Sequence, residues 1–459
     1  MSRSRVWSGR WSSLVVLAAS LVLAVAGCAK HSGILAPTIK DPSVFDDAFG
    51  ANVDFQAFSG SKYDAISVDS SVTYSGATAL KVTVPGPGDP TGTYAGGAFT
   101  AARARDLSVY DALTFWAKAD KSITLDVCGI GNDNTGTSRF EAKRTGLPLT
   151  TTWTRFVIPI PLPSRLADEK GLFYFAEGSE MGQGSTIWFD DIRYENLGTI
   201  TNPRPSMPTV TLTPDVGSYV PVPGTRVTFA VDGVDQTLDV MQGYFTFASS
   251  ADTVAVGGEG TVHVVGLGTA TITASLGDVP ATGQITLTPN PSPQSAAPTP
   301  SLPAADVISL FSNAYTNVPV DTWSASWDLA DVTDVLVAGN AAKKYTSLVY
   351  AGIEFTGTHV IDATAMTHFH VDTWAATGTT FKVKLVDFGA NGVYGGGDDK
   401  EQELSFTSAT TPAFGTLAWS SLDIPLSSFT NLTTRGHLAQ LILAGDPGAV
   451  YVDNLYFHK

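Results

Sequence analysis

Cysteine is nearly absent from this chain, with two in 459 residues. That count excludes a zinc or iron–sulfur site built on thiolates. Cys128 lies in the alternating run Ile123 to Ile130, where a small core hydrophobe is expected rather than a nucleophile. Basic residues are scarce too: 27 Lys and Arg stand against 43 Asp and Glu, for a net charge of −16. No basic patch is left to track a phosphate backbone, which argues against nucleic acid as a partner. No apolar stripe of helical period runs on between caps, and Ser164 to Lys170 offers one turn at most. Common hydrolytic motifs are missing as well, with no Gly-x-Ser-x-Gly elbow, His-Glu-x-x-His pair or phosphate-cradling loop.

The sustained apolar run that does occur is short. Leu14 to Ala26 follows Arg3, Arg5 and Arg10 and ends in Val25-Ala26-Gly27-Cys28. It is too short to span a bilayer comfortably, and its basic start and small-residue end are those of a cleaved signal. The closing four residues resemble a bacterial lipobox. That resemblance implies cleavage before Cys28, acylation of its thiol and a protein hung from the cell envelope by lipid. Ala29 behind it, with no Asp there, resembles the outer-membrane sorting pattern. Cleavage removes three Arg and no acid, so the mature charge becomes about −19. With Cys28 acylated, Cys128 has no disulfide partner within the monomer.

Two proline-rich seams divide the remainder. One is Asn202 to Pro208; the other, Pro289 to Pro300, reads as a semi-rigid extended spacer. The expected organisation is a signal at 1–27, a tether at 28–40, blocks at 41–198, 207–288 and 303–459, and a linker at 289–302. Alternation of apolar and polar residues is plain in Ala79 to Val84, Ile123 to Val127 and Phe381 to Val386. Many short runs rich in Thr, Val and aromatics, punctuated by turn residues, predict an all-β protein of sandwiches or jelly rolls.

A motif occurs twice. Trp153 precedes Ile158-Pro159 as Trp419 precedes Ile424-Pro425, and Asp190-Asp191 then recurs as Asp453-Asn454, close before a closing aromatic. Two modules of one fold are implied. The first block, through Phe45-Asp46-Asp47, Tyr74 to Leu80, Asp106 to Trp116 and Gly171 to Gly178, resembles the galactose-binding-like jelly roll of many carbohydrate-binding modules. The third, through Asp306 to Tyr315, Met366 to Trp374 and Val452 to Leu455, resembles a module of secreted laminarinases of glycoside hydrolase family 16. Between them, Gly268 to Ser275 and Gly283 to Leu287 resemble the group-2 bacterial immunoglobulin-like domain, which implies a spacer. The segment Asp232 to Phe247 departs from that pattern.

A pyranose binds by stacking on a flat ring and by hydrogen bonds to Asp, Asn, Gln or Arg. In the third block Trp323, Trp327, Trp374 and Tyr394 are the ring candidates. His368, His370 and Asp372 share one strand face, which suits a sugar-binding face or a solvated one, with a metal less favoured. In the first block Tyr63, Tyr94 and Arg139 lie near polar turns and are candidates, while Trp116, Trp153 and Trp188 are expected in the core.

Modules of this kind often hold structural Ca²⁺, which takes carboxylate and carbonyl oxygens. The resemblance assigns Asp46, Asp47, the carbonyls around Gly76, Asp190 and Asp191 to such a site, with Asp306 and Asp453 as the analogous pair. The alternative is that these acids bond backbone at strand ends. A glycosidase needs two carboxylates across a cleft. Glu401 and Glu403 share a face but read as a charged edge, and the family 16 Glu-x-Asp-x-x-Glu strand is absent. The expectation is a non-catalytic, lipid-anchored envelope protein that holds a β-glucan-like polysaccharide for a partner glycoside hydrolase or transporter. The rival readings are an adhesive or structural lipoprotein and, more remotely, a hydrolase with an unfamiliar site.

Overall fold

The alternating runs form strands whose apolar phase is buried. In Ala79–Val84, Leu80, Val82 and Val84 turn inward while Lys81 and Thr83 face out. The computed structural model describes residues 39–459, so the expected signal, Cys28 and most of the tether lie outside the described residues. Among these residues the regular structure is strands and five short 3₁₀ turns, and the fold is all-β.

The first block is a sandwich of two sheets. One orders Thr154–Pro159, Ala112–Ala119, Ser185–Glu195, Ser43–Asp46 and Ala48–Phe49, with Ala79–Val84 also paired to Ser185–Glu195 and Ile66–Asp69 beyond it. The other orders Ile200–Ser206, Arg226–Val231, Val234–Val240, Ala142–Leu149, Ile123–Ile130, Glu169–Glu177, Ala95–Arg105 and Val53–Ala57. Phe99, Phe115, Phe173, Phe175 and Phe189 pack between them, and Cys128 is buried there as expected.

The second sheet crosses the expected block boundary. Residues 200–206 are not a linker but its edge strand, where Pro203 and Pro205 forfeit no ladder bond the sheet needs. The unassigned segment from Asp232 is the turn and second strand of a hairpin. Asp232 and Gly233 both take positive φ (50° and 82°), as a two-residue hairpin turn requires. Val234–Val240 then pairs with Ala142–Leu149 of the first block, Asp239 opposite Lys143 and Val240 opposite Ala142. One continuous core therefore serves residues 44–287. The rest of the middle block is a five-stranded sheet and a two-stranded ribbon.

The third block has its own core. Its 21-residue strand Leu438–His458 serves both layers. The first half pairs with Phe381–Asp387 and the end of Asn340–Glu354. The second half pairs with His368–Ala375, Val307–Phe311 and the start of Asn340–Glu354. Both long strands change layer where Ser347 (φ 53°) and Gly448 (φ 69°) leave the extended region.

The second proline-rich seam is not a free spacer. Segment 290–303 runs across the outer face of the His368–Ala375 layer. Trp419 Nε1 donates to the Ser295 carbonyl at 2.7 Å, Asn454 Nδ2 to that of Pro298 at 2.9 Å, and the Tyr315 hydroxyl to that of Leu302 at 3.1 Å. Proline leaves a strand's carbonyls free while removing N–H groups that would need partners.

Candidate functional site

Three tryptophans expected in the core of the first block stand on its surface instead. On Ala112–Ala119 and Ser185–Glu195 the inward phase belongs to Phe115, Ala117, Ile187 and Phe189. Trp116, Trp188 and Asp190 therefore point outward, and Trp153 precedes the edge strand; all three indoles are half-buried. Tyr74, 41% exposed, stacks on Trp116 with centroids 3.8 Å apart and planes 15° apart, and Trp153 meets Tyr74 edge-on at 6.0 Å. The register places Lys118, Trp188 and Lys81 in one row. Trp188 donates its indole N–H to Asp69 at 3.0 Å, and Lys118 Nζ lies 5.6 Å from its ring. Hydrogen bonds from Ser71 and then Trp188 hold Asp69 down at about 2, so it is an anion at any ordinary pH. The face thus offers rings bordered by fixed donors and acceptors. The sequence shows Tyr74 only as part of a turn phrase, with nothing to mark its ring as one of this face.

The acids expected to bind calcium are mostly engaged by backbone. Asp47 Oδ1 accepts the N–H groups of Ala77 (2.6 Å) and Thr78 (2.8 Å). Asp190 Oδ2 accepts those of Tyr74 (2.8 Å) and Ser75 (3.3 Å). Asp191 pairs with Arg193 at 2.8 Å, and burial raises the pKa of neighbouring Asp46. Gly76, at φ 58°, passes so close that a Cβ would sit 2.3 Å from the Asp47 carboxylate. For Asp47 and Asp190 these N–H donors are the backbone bonding named as the alternative to a Ca²⁺ site, while Asp46 lies within hydrogen-bonding reach of Asp191. In the third block the register puts Asp306 beside the chain end, bonded to Lys459 at 3.0 Å, whereas Asp453 lies opposite Asp372. The two are therefore not a pair. Among the described residues no group of three His, Cys, Asp or Glu is placed to hold a metal.

The third block repeats the face of the first and covers it. Counting back from Asp453 as from Asp190, Tyr451 stands where Trp188 does, and the register gives the row Trp374, Tyr451, Lys344. Lys344 Nζ is 5.3 Å from the Tyr451 ring and pairs with Asp215 of the middle block at 2.5 Å. Trp374 is only 5% exposed, set edge-on to Tyr451 at 5.7 Å beside the proline-rich strap. Trp374 and Trp323, both ring candidates in the sequence, do not line one open groove. Trp323 packs on the core edge-on to Phe311 at 5.6 Å, with Lys343 Nζ 4.7 Å from its ring.

His368 and His370 form a ladder of ring pairs: His368 on His458 (5.0 Å, 7°) and His370 on Tyr456 (4.7 Å, 10°). Asp423 bonds His458 at 2.8 Å and His370 at 3.3 Å. Burial pulls the His370 pKa down, but Asp372 and Asp423 outweigh it and hold it above its ordinary value. Trp327 is 42% exposed against Tyr350, and Tyr394 is 57% exposed in its glycine-rich loop.

Of the first-block candidates, the structure brings Tyr63 and Tyr94 to adjoining loops and leaves Arg139 apart. Tyr94, half-buried, and Tyr63, 74% exposed, share a pair of loops at one end of the eight-stranded sheet. Arg139 lies in the hairpin at the opposite end of those strands, over the Phe140 ring.

Residues 41–196 match the family model of carbohydrate binding domain 30. No curated protein matches the chain. Among solved structures it is similar to the family 30 carbohydrate-binding module of a cellulosomal cellulase of Clostridium thermocellum. That likeness has 19% identity over 35% of this chain and 95% of that one, with a TM-score of 0.24. A β-1,2-glucanase from Parabacteroides distasonis matches at 14% identity over 56% of this chain and 40% of that one, TM-score 0.24. The tandem CBM22 domain from Paenibacillus barcinonensis Xyn10C matches at 10% identity over 92% and 99%, TM-score 0.22.

Proposed function

We propose that this is a non-catalytic polysaccharide-binding protein that holds a β-glucan-like chain at the cell envelope, anchored by a lipid on Cys28. The observation that carries the reading is that residues 41–196 match a carbohydrate-binding family and present Tyr74, Trp153 and Trp188 on one sheet face. Ring faces bordered by Asp69, Lys81 and Lys118 suit a pyranose, whose apolar face stacks while its hydroxyls bond the rim. Tyr63 supports a second position for the chain, on the loops beside Tyr94.

Affinity electrophoresis of the soluble chain through laminarin, mixed-linkage glucan, xylan and galactan tests the reading. Retardation by a glucan, weakened in Trp188→Ala, supports the sheet face; weakening in Tyr63→Ala instead moves the site to the loops. No retardation by any polymer leaves the adhesive alternative. Release of reducing sugar from the same polymers would contradict the absence of catalysis.

A further inference from the structure

The third block carries a ring surface that no strap covers. Trp327 lies flat against the strand Asn340–Glu354 at Gly352, where a Cβ would meet the indole at 2.4 Å, so only glycine permits the approach. Its Nε1 donates to Glu354 Oε1 at 3.0 Å, and Gln440 Nε2 donates to the same oxygen at 2.9 Å. Asp328 fixes the supporting loop, accepting the N–H groups of Ala325 (3.0 Å) and Gly352 (2.9 Å). Tyr350 runs nearly parallel to the indole, 21° apart with centroids at 6.2 Å, which is an offset and not a face-to-face contact. A large ring left 42% exposed yet clamped on three sides is preorganised. Beyond the intervening strand Leu438–His458, Lys382 pairs with Glu403 (2.7 Å) and Lys384 with Glu401 (2.9 Å), so these two cations are already matched by acids. The face therefore fits an uncharged ligand with an apolar side and a hydroxyl rim, and disfavours an acidic polymer near a chain of net charge −16.

We propose that Trp327 and Tyr350 form a second carbohydrate subsite, for a neutral pyranose chain, separate from the face in residues 41–196. The inference rests on the polysaccharide-binding reading. Binding of whichever polymer retards the full chain is compared in Trp327→Ala, Tyr350→Ala and a conservative Trp327→Phe, with melting followed alongside. The expected result is about tenfold weaker binding in Trp327→Ala with little change in melting, and partial recovery in Trp327→Phe. Undiminished binding in Trp327→Ala overturns the subsite and leaves the wider reading standing. If the unaltered chain is retarded by no polymer, the wider reading fails first and the subsite with it.

Discussion

Trp116 follows Phe115 directly, and two large apolar residues in succession leave a strand's phase undecided from sequence. The structure settles it by volume: Phe115 fits among Phe156, Phe173 and Phe189, and the indole takes the outer face with Tyr74 as its lid. That lid depends on single residues. Asp47 holds the amides of Ala77 and Thr78, one turn beyond Tyr74. Asp47→Asn keeps a residue tolerant of φ 57° and should cost about 1 kcal/mol by weakening two charge-assisted bonds. Asp47→Ala adds left-handed strain and should cost about 2 kcal/mol. Urea unfolding of the full chain measures both, and midpoints equal to wild type would mean that Asp190 alone seats the loop. The acids themselves were visible in the sequence; what they bind was not, because the oxygens that suit Ca²⁺ equally suit N–H donors.

Among elements, the twice-occurring Trp-to-Ile-Pro motif was legible, and its cause is now plain. In both modules the tryptophan leads into an edge strand, Ile158 and Ile424 point into the core, and proline closes a strand that needs no further ladder donor. The two proline-rich seams were legible as composition and misleading as structure. Proline marks a chain free of ladder N–H groups, which fits an exposed spacer, an edge strand or a strap laid on rings. The neighbours decide, and they lie far away in sequence: Arg226–Val231 for one seam, Trp374 and Trp419 for the other. Replacing residues 291–298 by a Gly/Ser stretch of equal length should uncover Trp374. Its emission should shift red, acrylamide quenching should rise, and the third block should melt earlier. Unaltered quenching would show that the cover comes from elsewhere.

At the scale of the molecule, residues 44–287 share one core and the third block joins through the strap and the Lys344–Asp215 pair, and among the described residues buried ionisable groups occur in both parts. Several are carboxyls taken out of water. Burial pushes Glu169 and Glu177 up to about 7 and Asp453 up to about 6. A folded pKa above the unfolded one contributes stability that is complete below the unfolded value and is lost as pH rises through the folded value. The raised pKa of His370 acts in the same sense, complete below its ordinary value near 6.5 and lost above its folded one. Asp69 and Asp423, both lowered, act oppositely, but their stabilisation is lost only as pH falls toward the acid limit. The sum predicts greater stability near pH 5 than at pH 8, reinforced as protonation relieves the excess of acids. Glu169 is 8% exposed, and its shift corresponds to at most about 3 kcal/mol across that window. In Glu169→Gln the remaining Oε1 can still accept the Lys170 and Gly171 N–H groups, which Glu169 holds at 2.9 and 2.8 Å. That variant should therefore lose part of the fall in melting temperature between pH 5 and pH 8 while the other buried acids keep the rest. A fall as steep as wild type would show that Glu169 is ionised in the folded chain already at pH 5, and that its two backbone donors outweigh its burial.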